Sequence, residues 1–213
     1  MKSTKGLFIT RSLGNHGSIK SLGLLLKNLT GIEFDIVVGK RTPWGKPESY
    51  IRERLGANYD KLFQVFLPSA RCHQTVPKLN TLYRILEYWV QRITWLFGRI
   101  KLRKIIASGK YAFIHLNSLG LHEIVDSGFP FTIHVREILN DNPGGVFDSI
   151  QKVRGAVFID EFTLMKFKDT PIKKKIILNN PIDMTPVENY LGAVPEAVPD
   201  VSNQKLVFLI VVP

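Results

Sequence analysis

Residues 7–29 read LFITRSLGNHGSIKSLGLLLKNL, and this stretch decides the fold class. Leu7-Phe8-Ile9-Thr10 is a short apolar run, as expected of a strand covered on both faces. The turn Ser12–Ser18 carries Gly14 and Gly17, two glycines three residues apart. Ile19, Leu22, Leu25, Leu26 and Leu29 then recur at helical spacing. Gly31 fits as the helix stop, and Phe34–Val38 is a second apolar run. Strand, glycine turn, helix and strand in this order open a parallel α/β layering.

The alternation continues outward. Gly39–Pro47 reads as a loop, and Leu62–Leu67 as a third strand closed by Pro68. Pro77–Ser108 is a long helical segment, with Leu82, Ile85, Leu86, Trp89, Ile93, Leu96, Phe97 and Ile100 in one stripe expected to face the core. Ala112–Leu116, Phe131–Val135, Ala156–Ile159 and Ile176–Leu178 read as strands, separated by short helices at Leu119–Ser127, 147–153 and Glu161–Lys168. The expected fold of residues 1–183 is therefore α/β: a Rossmann-like three-layer domain with a mostly parallel sheet between helices. Residues 184–213 differ. Met184–Gln204, with Pro186, Pro195 and Pro199, reads as a linker, and Leu206–Val212 as one more strand. That strand is expected either to begin a second domain or to join the sheet edge.

Composition narrows the class of function. The 213 residues are 45% hydrophobic and 22% charged, which excludes wholesale disorder. A single cysteine, Cys72, excludes a disulfide scaffold and a multi-cysteine metal site, and points to a reducing compartment. No apolar run approaches the ~18 residues of a spanning helix. The four-residue apolar stretch near the N-terminus is too short for a signal peptide. Residues 1–110 hold 20 Lys+Arg against 6 Asp+Glu, a net charge of +14, whereas residues 111–213 carry a net of −3. Such polarity suits a solvated basic surface, or a face that meets lipid headgroups, nucleic acid or phosphate.

The glycine turn allows close backbone approach to a ligand, and the following helix N-terminus offers free N–H groups to a phosphate. The alternative is a tight strand-to-helix turn alone. G-x-G-x-x-G is absent, and the second strand ends in Val38-Gly39-Lys40 with no acidic residue for a ribose, so NAD is not expected. The Walker pattern and G-x-S-x-G are absent too, and neither a cofactor nor a metal is expected. His115 and His134 close strands, and His16 sits in the glycine turn. In an open parallel sheet ligands bind at the carboxyl ends of the strands, where all three would converge; the alternative for each is a satisfied buried histidine, and their spacing does not match a zinc site.

These segments together resemble the N-terminal half of a retaining, two-domain (GT-B) glycosyltransferase of family 4. The likeness lies in Gly14-Asn15-His16-Gly17-Ser18, in Ile114-His115-Leu116-Asn117-Ser118, in Thr132-Ile133-His134, and in Ile176-Ile177-Leu178-Asn179-Asn180-Pro181-Ile182-Asp183, which is similar to the family's interdomain motif. Asn117 stands where some members have a second histidine, and Asn180 where a glycine is usual. The resemblance implies a nucleotide-sugar donor, transfer with retention, and a membrane-associated, lipid-linked or polysaccharide acceptor. It implies catalytic roles for His115, Asn117 and His134, and substrate contacts from Gly14, Asn15, His16, Gly17, Arg136 and Glu137. It also implies that the donor is held mainly by a second domain, so that this chain alone is inactive.

The long helix adds a second expectation. Arg84, Tyr88, Arg92, Trp95, Arg99 and Arg103 fall in one band beside the apolar stripe. Arginine with interleaved aromatic residues is the composition of an interfacial helix, so this band is the expected contact with an anionic membrane surface. A solvated basic face is the plainer reading. Nucleic acid is not expected, because no recognised nucleic-acid motif accompanies the helix. The expected location is cytoplasmic, peripheral at the inner face of the membrane. Two other functions fit the sequence: a non-enzymatic module binding membranes or polyanions, and a different nucleotide-binding Rossmann-like enzyme.

Overall fold

A computed structural model describes residues 5–11, 17–40, 42–56, 58–68, 81–126, 128–137 and 145–178; side chains are described within 81–88 only for Leu86. The expected linker and last strand, residues 184–213, lie outside the described residues, as do Gly14, Asn15 and His16.

Seven strands form one sheet: β1 (Lys5–Thr10), β2 (Glu33–Gly39), β3 (Leu62–Val65), β4 (Phe113–Leu116), β5 (Phe131–Val135), β6 (Gly155–Phe158) and β7 (Lys174–Ile177). Their order is β3-β2-β1-β4-β5-β6-β7, and every pairing is parallel. This is the Rossmann-like α/β architecture expected from the alternation. β1 is an interior strand, third in the order, and is buried on both faces. Leu7 faces Asp35 of β2 and Ile114 of β4, and Ile9 faces Val37 and Leu116.

Alternation along β1 divides the core into two layers. Phe8 packs with α1 (Gly17–Lys27), through Ile19, Leu22, Leu25 and Leu26, and with Ile51 and Leu55 of α2 (Glu48–Leu55). Leu7 and Ile9 pack on the other side with α3 (Thr81–Gly109), through Trp95, Leu102, Ile105 and Ile106. That second layer also takes in a 3-10 helix (Leu119–Ile124), α4 (Val146–Ile150) and Phe167, just after α5 (Glu161–Met165). α2 is a helix that the hydrophobic pattern does not announce, since only Ile51 and Leu55 of its eight residues are buried. It follows Pro47 and ends at Gly56, whose left-handed φ of 57° closes it.

α3 corrects two expectations. Much of the apolar stripe expected in the core faces outward: Leu86, Trp89, Ile93, Leu96, Phe97 and Ile100 are each 52–69% exposed, with Val90 beside them at 51%, and the side chains of Leu82 and Ile85 lie outside the described residues. The buried face is the opposite one, and Trp95, expected at a membrane surface, lies inside it at 6% exposure. Gly98 explains the choice. A Cβ there would come within 1.8 Å of the Phe66 carbonyl oxygen, so the glycine lets the helix backbone press against the exit of β3. The basic band is also engaged with the protein. Arg92 pairs with Glu123 at 3.2 Å and Arg103 with Asp126 at 2.9 Å, both partners lying in or just after the 3-10 helix. The side chains of Arg84 and Tyr88 lie outside the described residues.

The amino edge of the sheet is tied by a buried carboxylate. Asp35, 2% exposed, takes an ion pair from Lys5 at 2.8 Å and a hydrogen bond from the Tyr111 hydroxyl at 2.5 Å. Lys5 also reaches Asp60 at 3.1 Å. Hydrogen bonding to Asp35 raises the Lys5 pKa against the opposing effect of burial, and burial followed by Asp35 raises that of Tyr111.

Candidate functional site

The strand order reverses between β1 and β4, because β2 and β3 lie on one side of β1 and β4–β7 on the other. Loops leaving the carboxyl ends diverge at such a point and open a crevice. β4 and β5 deliver the expected residues to it. His115 and His134 are the last-but-one residues of their strands, and Asn117 and Arg136 follow directly. Asn117 extends the ladder, its N–H donating to the Ile9 carbonyl at 3.0 Å. Gly17 opens α1 on the far side of β1, so its backbone lies at this same edge.

His115 and His134 are buried on the face that carries Phe8, at 8% and 2% exposure. Their ring centroids are 6.0 Å apart, and the Phe8 ring lies 5.5 Å from that of His115. Thr132 stands within 3.0 Å of His115 Nδ1. The Thr132 hydroxyl also lies 3.4 Å from the Ile114 carbonyl oxygen, so its single proton serves either that carbonyl or His115 Nδ1, and the tautomer of the ring follows from which it serves. Arg136 Nη2 lies 3.0 Å from His134 Nδ1, and a guanidinium can only donate. His134 therefore carries its proton on Nε2. Among the described residues neither Nε2 has a hydrogen-bond partner.

Burial, seconded by the Arg136 charge, lowers the His115 pKa to about 3 and that of His134 to about 2. Both rings are neutral at physiological pH. Burial lowers Arg136 to about 10, with Glu137 opposing, so the guanidinium stays charged. Arg136 Nη2 also donates to Asn117 Oδ1 at 3.3 Å, which fixes that amide.

Glu137 acts on the chain itself. Its carboxylate accepts from the Ser118 hydroxyl, from Leu119 N–H at 3.0 Å and from Arg136 N–H at 3.1 Å. It ties the exit of β4 to the exit of β5 and is a positioning residue. Thr132 and Ser118 are the members that sequence reasoning missed. Thr132 could have been found, since it lies two residues before His134 and so shares its face of the strand.

No family model and no curated protein matches the sequence. Solved structures do match the fold. Arabidopsis thaliana UGT89C1 complexed with UDP-L-rhamnose aligns at a TM-score of 0.55 and 11% identity, over 94% of this chain and 56% of that one. Phytolacca americana UGT2, complexed with UDP-2fluoro-glucose and pterostilbene, aligns at 0.54 and 8% identity, over 92% and 58%. A UDP-glucosyltransferase from Polygonum tinctorium aligns at 0.51 and 12% identity, over 94% and 56%. The likeness is one of fold, a Rossmann-like α/β domain of the kind these glycosyltransferases contain, and the chain spans a little over half the length of these structures.

Proposed function

We propose that this chain is the N-terminal, acceptor-side part of a two-domain glycosyltransferase. It would move a sugar from a nucleotide-sugar donor to a lipid-linked sugar or a polysaccharide. The observation that carries this reading is the neutral pair His115 and His134, held by Arg136 and Asn117 where the strand order reverses. An acceptor hydroxyl needs a group that draws its hydrogen toward a lone pair, and a neutral His115 with its lone pair on Nε2 would offer one once the hydroxyl reached it. An oxygen of the sugar or of a departing phosphate needs a donor, and His134 Nε2–H offers that. The Arg136 charge lies against His134 and Asn117 and favours electron-rich groups nearby.

Retention at the anomeric carbon is part of the proposal and rests on the resemblance of the sequence segments to family 4. The division of labour rests on the same resemblance: the donor is gripped mainly by a second domain, and transfer takes place in the cleft between the two.

The test is label transfer from a panel of UDP-, GDP- and CDP-sugars to membrane-lipid and polysaccharide extracts. It compares the 213-residue chain with the reading frame extended past Pro213. The extended chain is expected to transfer one of the sugars, the 213-residue chain none, and His134→Ala to slow transfer by about a hundredfold. No transfer from any donor overturns the reading. Transfer by the 213-residue chain at a comparable rate overturns the division of labour. An inverted anomer in the product overturns retention.

A further inference from the structure

The exposed apolar face of α3 finds no use in the crevice. At 100° per residue, Leu86, Trp89, Val90, Ile93, Leu96, Phe97 and Ile100 fall within an arc of about 120°, roughly opposite the buried face. Scattered apolar side chains on a surface are ordinary, but seven large ones on one face of one helix mark a contact surface.

Charge indicates what covers it. On the same wheel Arg92, Arg99 and Arg103 border one side of the apolar arc and Lys101 the other, with Lys104 at its C-terminal end; all five are exposed. Glu87 is the one acidic residue of α3, and the nearby Glu123 and Asp126 are paired with Arg92 and Arg103. A second copy of the chain would bring cations against cations. An anionic bilayer answers both features, with apolar side chains sinking to the acyl boundary and the cations remaining at headgroup level. α3 runs antiparallel to the strands between β3 and β4, so its exposed half, residues 86–100, lies toward the carboxyl edge and its crevice.

We propose that α3 lies in the plane of an anionic lipid bilayer through Leu86, Val90, Ile93, Leu96, Phe97 and Ile100. The arginine band is then a border of the contact, not its centre. No described helix is long and apolar enough to cross a membrane. This inference is independent of sugar transfer: vesicle binding is read without any donor or acceptor, so it survives if the proposed reaction fails.

The experiment is co-sedimentation of the 213-residue chain with phosphatidylcholine vesicles, plain or containing about one third phosphatidylglycerol. Binding to the anionic vesicles is expected, together with a blue shift of tryptophan emission. Leu96→Glu/Phe97→Glu should lower the partition coefficient at least about tenfold by placing charge in the buried stratum. Arg99→Gln/Lys104→Gln should lower it about fivefold for each cation removed. Because these side chains are exposed, circular dichroism is expected to be unchanged in all variants. Absence of binding to either vesicle, or equal binding by the Leu96→Glu/Phe97→Glu chain, overturns the proposal. So does a chain that ignores vesicles yet dimerises until Phe97→Glu makes it monomeric, since the face would then serve self-association.

Discussion

His115 and His134 stand edge to face with ring centroids 6.0 Å apart, and the Nδ1 of each meets a different neighbour. The Thr132 hydroxyl lies against one ring while the Arg136 guanidinium donates to the other. Two chemically identical side chains thereby stand in different surroundings.

This pair makes the fold acid-sensitive. An unfolded histidine takes up its proton near pH 6.5, whereas the folded chain resists protonation down to about 3 at His115 and about 2 at His134. Between those limits the unfolded state binds more protons, so stability falls as pH falls. The expected slope is about 1.4 kcal/mol per pH unit for each histidine. Urea unfolding from pH 7 to 4.5 checks this, and His115→Asn should flatten the slope by one histidine's share whatever it does to stability at pH 7.

Removing Arg136 should release part of this depression. With Arg136→Met, the titration midpoints of both His115 and His134 are expected to rise, while burial still holds them below the ordinary histidine value. Carbon-detected NMR titration of the imidazoles reads this directly. Unmoved midpoints would show that burial alone sets them.

Gly98→Ala sets helix propensity against packing. Alanine is favoured over glycine in a helix by about 1 kcal/mol. Here its methyl group would lie 1.8 Å from the Phe66 carbonyl oxygen, a backbone atom that cannot simply rotate away. A net loss of about 1–3 kcal/mol is expected, read as a lower denaturation midpoint. A stabilised variant would mean that α3 does not pack at this distance.

At the opposite edge, Lys5→Met leaves the buried Asp35 carboxylate with Tyr111 alone. The expected cost is about 3 kcal/mol. Adding Asp35→Leu should recover part of it, because the stranded charge is then gone. A double variant no more stable than Lys5→Met would show that the carboxylate is not the source of the loss.

The strands were legible in the sequence because a parallel sheet covered on both faces leaves continuous apolar runs such as Leu7–Ile9 and Phe131–Val135. The carboxyl edge was legible for the same reason, since a histidine closing such a run stands out. α2 was not, because two buried residues in eight give no period. α3 was legible as a helix but not in its orientation. It is apolar on two opposed faces, and periodicity reports a stripe without saying which side is inside; Gly98, on the narrower face, was the available clue. The role of Glu137 was hidden because two of its partners are backbone N–H groups, which no side-chain pattern records.

The interior place of β1 has a consequence for biosynthesis. Of the seven strands β1 is made first, and β2 and β3 can add to one of its edges as they follow. Its other edge waits for β4, about 100 residues later, or roughly 5–20 s of translation. For that interval Leu7, Phe8 and Ile9 offer an unpaired, fully apolar ladder to whatever strand arrives first. The nascent chain therefore has a built-in period of vulnerability in a strand that the finished domain buries on both faces.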